Sequence, residues 1–155
     1  MCSNRACFII IKDSSTNLNQ ENWKNLMASY PKEYILIVSN SAGTDDDTGH
    51  EEAQLLQKNT GITVLRHSTK KPGCLDEIRD YFSKFGIQSN EIAIIGDRMF
   101  TDVLMANMMG AWGIWLSEGV ETSQKIFPRI ERAFYDKLVT QRPDDPFVAP
   151  VPKQS

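Results

Sequence analysis

Cysteine is scarce: Cys2, Cys7 and Cys74 are the only three in 155 residues, at spacings that make neither a metal finger nor a disulfide framework. That usage leans towards a reducing compartment. Long apolar runs are missing, and none approaches the roughly 20 residues that cross a bilayer, so a membrane role is expected to be peripheral. Positive charge has no surplus: 17 Lys and Arg stand against 20 Asp and Glu, for a net charge of -3. A chain without a basic excess has little to attract a polyanion, and nucleic acid is not an expected partner. The first residues carry only Arg5 as a basic group and lack an Arg- and Ser-rich amphipathic pattern, so no transit peptide is evident. No internal repeat is found. What remains is an ordinary globular composition, 41% hydrophobic and 24% charged, in one domain large enough for a proper core.

Apolar runs too short for helices alternate with segments of helical spacing. Phe8–Ile11, Ile35–Val38, Thr63–Leu65, Ile92–Ile95 and Gly113–Leu116 read as strands, and 23–30, 51–59, 75–85, 103–109 and 123–138 as helices. This alternation predicts an α/β fold, a doubly wound parallel sheet with right-handed crossovers. No segment is long enough for a second domain and no cap insertion is visible. The domain is expected over 5–140, and 141–155 turns to proline and charge (Pro143, Pro146, Pro150, Pro152), the composition of a disordered tail.

The stretch 91–102, Glu-Ile-Ala-Ile-Ile-Gly-Asp-Arg-Met-Phe-Thr-Asp, organises the rest. It reads as a strand buried on both faces, a glycine for a sharp turn, and two carboxylates bracketing entry into a helix. Ligands of open parallel sheets sit beyond the carboxyl ends of the strands, which is where Asp97 falls. Two converging carboxylates suit Mg2+, held by one or two carboxylates with water and phosphate oxygens. The plainer alternative has Thr101 capping the helix and Asp102 favouring its positive end.

Two further loops fall on the same sheet edge. Ser39 offers a hydroxyl, and Asn40 and its neighbours offer backbone N–H groups for phosphate oxygens. Lys71 supplies a compact positive charge, with Pro72 after it biasing it towards extended backbone. Asp45-Asp46-Asp47 reads as a solvated loop face rather than a calcium site, since no ligand pattern continues. His67 reads as a loop or packing residue rather than a base. Met105, Met108 and Met109 read as core before they read as a lipid groove.

Taken in order, a strand with Asp13, a strand with Ser39, Lys71-Pro72, and a strand with Asp97 and Asp102 resemble the four motifs of the haloacid dehalogenase-like phosphohydrolases. The wording of 36–44, 64–73, 95–102, 105–110 and 113–115 is similar to the mitochondrial phosphatidylglycerophosphatases of fungi and plants. That resemblance covers roughly Trp23 to Phe147. It implies a cap-less haloacid dehalogenase-like core and Mg2+-dependent hydrolysis of phosphatidylglycerophosphate to phosphatidylglycerol, on the way to cardiolipin, through an aspartyl-phosphate. It further implies that Ser39 and Asn40 hold phosphate and that Lys71 pairs with nucleophile and phosphate. Asp13 and Asp97 would ligate Mg2+, and Asp102 would complete the outer metal shell or orient Lys71. The implied setting is a phospholipid phosphate at a membrane surface, on the matrix side of the mitochondrial inner membrane; oligomeric state is not implied.

The first motif departs from the family's D-K-D-N. Aligned on Lys12-Asp13, the nucleophile position falls on Ile11 and Asp13 is the acid/base aspartate; this alignment is preferred. Aligned on the first aspartate instead, Asp13 is the nucleophile and Ser15 replaces the acid/base. The connection to Trp23 is also shorter than the family's, so the residues before Trp23 are read as divergent, truncated or alternatively spliced. An isoleucine cannot attack phosphorus, and the alternative expectation is a pseudophosphatase or truncated isoform that binds phosphate and Mg2+ without turnover.

Overall fold

β-branched residues stiff at χ1 pack well on a pleated surface, and the isoleucine- and valine-rich runs here are too short for stable helices. In the computed structural model they pair side by side as Cys7–Ile11 (β1), Ile35–Val38 (β2), Thr63–Val64 (β3), Ile92–Gly96 (β4) and Trp112–Trp115 (β5). The structure describes residues 7–11, 20–116, 130, 133, 135–137 and 152. The strands form one five-stranded sheet in the order β3-β2-β1-β4-β5, with every pairing parallel. The expected doubly wound α/β architecture is what forms. β3 is two residues long, shorter than expected at its carboxyl end, although the Leu65 N–H still donates to the Ile37 carbonyl at 2.8 Å.

Helices Gln20–Ser29 (α1), Glu51–Thr60 (α2), Leu75–Ser83 (α3) and Leu104–Met109 (α4) connect the strands. Alternation along β2 splits the core in two. Ile35 and Ile37 pack with Ala53, Ile62 and Val64, covered by Leu26, Met27 and Tyr30 of the α1 segment. Leu36 and Val38 pack with Ile92, Ile94, Cys74, Ile78, Phe82, Met105 and Met109, on the side of α3 and α4. α1 and α2 therefore cover one face and α3 and α4 the other. The chain winds outward from β1 to β3, crosses back, and resumes at β4 on the far side of β1. Such a reversal opens a crevice at the carboxyl ends of β1 and β4, the place where ligands of this architecture bind.

Three expectations need correction. Asp47 is not part of a solvated acidic face. It is buried, and its carboxylate accepts the backbone N–H groups of Gly43 (2.8 Å), Glu52 (2.9 Å) and Ala53 (3.0 Å). The loop folds back on itself, so the first-turn amides of α2, which have no partner within the helix, reach this side chain. Met105 and Met109 are core, but Met108 lies on the outer side of α4 and is 53% exposed. Thr101 does not cap a helix. Met99–Val103 is a π-helical turn leading into α4, and the Thr101 hydroxyl donates to Asp102 Oδ1 at 2.9 Å. The helix expected over 123–138 and the tail over 141–155 lie almost entirely outside the described residues. No helix among the described residues is long and apolar enough to cross a membrane.

Candidate active site

Parallel register fixes which residues reach the carboxyl edge together. Ile11 pairs with Val38, and Ile10 pairs with Ile95. The end of the central strand is therefore level with Val38 on one side and Gly96 on the other. Ser39 and Asp97 each lie one residue beyond that line. Asp13 lies outside the described residues, as does the side chain of Ile11.

Ser39 is buried at the end of β2. Its Oγ lies 3.2 Å from Ser41 Oγ and accepts the Ser41 N–H at 3.2 Å, a short turn that keeps the hydroxyl over the strand end. Next to it, Asn40 Oδ1 accepts the Lys71 N–H at 2.9 Å. The turn stays tight because Gly43 takes φ +87° and a Cβ there would collide with the Leu65 carbonyl. The Gly43 carbonyl in turn accepts the His67 N–H at 2.9 Å.

Lys71 is 7% exposed and Asp102 0%. Their side chains meet as an ion pair, Lys71 Nζ to Asp102 Oδ1 at 3.1 Å. A buried ammonium requires a counter-charge and a buried carboxylate requires donors. Asp102 has several, since Oδ2 accepts the Arg98 N–H at 3.0 Å and Oδ1 also receives the Thr101 hydroxyl. Gly96 leaves the room for this, because a Cβ there would run into the Asp102 carboxylate. Asp97, half-buried, follows directly; its backbone carbonyl accepts Trp115 Nε1–H at 3.1 Å, which ties the strand end to β5. The Lys71–Pro72 peptide is cis.

The structure thus joins Ser39, Asn40, Lys71 and Asp102 through loop contacts, with Asp97 on the same turn as Asp102. Two buried side chains hold this edge from behind: His67, which the sequence gives as a loop or packing residue, and Asp47, which sequence reasoning missed. His67 is 5% exposed, with Nε2 2.9 Å from the Ser39 carbonyl and Nδ1 2.8 Å from the Thr69 carbonyl. Asp47 binds only backbone amides. A side chain whose partners are peptide groups leaves no residue-type signal in a sequence. Behind Lys71, the buried thiol of Cys74 is pushed up to about 11 by its own burial, against the pull of the Lys71 charge. Among the described residues no three His, Cys, Asp or Glu side chains gather as a metal cluster. Mg2+ does not need one, as it takes one or two carboxylates and fills its octahedron with water and phosphate oxygens. Asp97, a hard oxygen donor at the crevice, fits that cation.

Comparison with known proteins follows the same outline. Residues 6–121 match the family model described as mitochondrial PGP phosphatase. The chain is 47% identical over 120 residues to "Phosphatidylglycerophosphatase GEP4, mitochondrial" of Saccharomyces cerevisiae, covering 76% of this chain and 65% of that one. It is 39% identical over 118 residues to "Probable phosphatidylglycerophosphatase, mitochondrial" of Schizosaccharomyces pombe, covering 74% of this chain and 56% of that one. It therefore spans less than two thirds of the length of these relatives. A crystal structure of an uncharacterized protein from Corynebacterium glutamicum shares the fold, with a TM-score of 0.53 at 20% identity over 74% of this chain and 86% of that one. One from Listeria monocytogenes does so with a TM-score of 0.52 at 15% identity, over 78% and 85%. With a family model running from the first strand to beyond the last one described, this chain belongs to the mitochondrial PGP phosphatase family.

Proposed function

We propose that the chain is the phosphatase core of a phosphatidylglycerophosphatase, hydrolysing the terminal phosphomonoester of phosphatidylglycerophosphate to phosphatidylglycerol and inorganic phosphate. The observation that carries this reading is the buried Lys71–Asp102 pair at 3.1 Å, set beside Ser39 and Asp97 on one sheet edge. Family membership and the relatives' names support the substrate. In this reading Ser39 and the N–H groups around Asn40 receive phosphate oxygens, and Lys71 balances their charge. Asp102 holds Lys71 in place, so that the ammonium is delivered in one orientation. Phosphoryl transfer asks a protein mainly for positioning and charge neutralisation, and these are the things a buried, paired lysine supplies. Asp97, with Asp13, would hold Mg2+, which when bound neutralises charge on the phosphate. Under the alignment on the first aspartate, Asp13, the first carboxylate after β1, would attack phosphorus and release the lipid alcohol, and water would then cleave the aspartyl-phosphate. The open sheet edge suits a headgroup at a membrane surface, and the relatives' names support a mitochondrial setting with peripheral membrane contact. The domain extent proposed is 5–140.

A second reading rests on a specific observation. Ile11 is the last residue of β1, level with Val38 and Gly96, where the nucleophile of such a site belongs. Under that reading the chain retains phosphate and Mg2+ but does not turn over. The experiment that tests both is phosphate release from phosphatidylglycerophosphate in mixed micelles with Mg2+, run beside trapping with beryllium fluoride. Turnover with a stoichiometric aspartyl adduct supports the enzyme. Mg2+-dependent phosphate binding with neither turnover nor adduct supports the second reading. Absence of all three would refute both.

A further inference from the structure

Two loops supply the proposed phosphate contacts: the one after β2 carries Ser39 and Asn40, and the one after β3 carries Lys71. Nothing covalent sets the spacing between them. An exposed ion pair between Lys70 and Asp46 joins the loops at the surface, and the buried cross-loop bonds are few and short. Asn40 Oδ1 accepts the Lys71 N–H, the His67 N–H donates to the Gly43 carbonyl, and the buried His67 ring lies with Nε2 2.9 Å from the Ser39 carbonyl. The ring's other nitrogen faces Thr69, two residues along its own loop. Both partners are carbonyl acceptors and a neutral ring has one N–H, so the ring donates either across the loops to Ser39 or within its own loop to Thr69.

We propose that His67 is a positioning residue for the phosphate site: its Nε2–H, donated to the Ser39 carbonyl, fixes the separation of the Ser39 hydroxyl from the Lys71 ammonium. This rests on the reading of Ser39 and Lys71 as the phosphate-binding pair. The ring acts on the peptide just beyond the Ser39 side chain and four residues before Lys71, so loss of the bond frees one half of the site relative to the other. A hydrogen bond inside a water-poor site is worth most when no other donor takes its place, and among the described residues the His67 ring is the donor found at the Ser39 carbonyl.

The two nitrogens can be separated by substitution. In His67→Gln the side-chain amide reaches the place of Nε2 and can donate to Ser39; in His67→Asn it reaches only the place of Nδ1 and can donate to Thr69. Inorganic phosphate affinity with Mg2+ is measured calorimetrically on the full chain, alongside Lys71→Ala and thermal unfolding of each variant. The expected result is an affinity within about twofold of the parent for His67→Gln and a loss of about tenfold for His67→Asn, at similar unfolding temperatures. Equal affinities in the two variants would overturn the proposal. If the parent's binding does not depend on Lys71, the phosphate reading beneath it fails. The coupling of the loops is then read without phosphate, from amide exchange at His67 and Lys71. Exchange about tenfold faster in His67→Asn than in His67→Gln sustains the role of Nε2, and equal exchange overturns it.

Discussion

Lys71 and Asp102 depend on each other. Lys71→Met leaves a carboxylate buried without its counter-charge, and Asp102→Leu leaves an ammonium in the same position. Each single change is expected to cost about 3–5 kcal/mol in chemical denaturation. The double change should be far milder than the sum, because no charge is then stranded, and a strictly additive cycle would contradict the coupling. The nucleophile position gives the sharpest activity test at this scale. Ile11→Asp should raise Mg2+-dependent phosphatase turnover by a factor on the order of 10⁴–10⁶ if Ile11 stands where the nucleophile belongs. An unchanged rate in a folded variant argues against that alignment. Loss of the phosphoenzyme in Asp13→Asn of the otherwise unaltered chain would place the nucleophile at Asp13. Cys74, with its thiol pushed up to about 11, should resist alkylation at neutral pH until the protein unfolds, as mass spectrometry of the modified peptide would report.

The loop between β2 and α2 is anchored by Asp47, which makes it sensitive to acid. Burial raises the carboxyl's pKa, but the N–H donors of Gly43, Glu52 and Ala53, with His50 nearby, outweigh that and hold it below the ordinary carboxylate value. Because the folded value is the lower one, the contribution to stability is present above the unfolded value near roughly 4 and is lost as pH falls through the folded one. Asp47→Asn should unfold at a lower temperature than the parent at pH 7, and the gap should narrow as the solution is acidified towards the folded value. Thermal melts across that range check this. In the turn after β4, Gly96→Ala should displace the Asp102 carboxylate and so loosen Lys71 without touching either residue. Lower phosphate affinity in that variant, with Lys71 and Asp102 intact, is the expected result. The strands and helices of both elements were legible because Ile and Val runs and helical spacing are written in residue types. The Ser39, Lys71 and Asp97 loops were legible because strand ends are. What escaped, the anchoring of Asp47 and His67 on peptide groups and the π-helical turn that carries Asp102 beneath Gly96, depends on backbone paths that residue types do not encode.

At the scale of the molecule, strand order sets what each half of the chain can do. β1, β2 and β3 lie on one side of the reversal and bring Ser39, Asn40 and Lys71 together; β4 and β5 lie on the other and bring Asp97 and Asp102. On the enzyme reading, chelation with EDTA should abolish turnover while sparing the fold, since the backbone pairing of β1 with β4 joins the two halves. An unfolding temperature unchanged by EDTA, with activity restored by Mg2+, is the expected pair of observations. The central position of β1 also bears on the order in which the site can come into being during synthesis. The first strand emerges with both of its edges open and receives β2 after a short stretch of chain. Its second neighbour is β4, whose Ala93 pairs with Phe8. A contact so distant in sequence closes late, because the entropy of the intervening loop must be overcome first. A nascent chain can thus assemble the cradle for phosphate before it owns the carboxylates opposite, and Lys71 reaches its counter-charge only when the last half of the sheet docks.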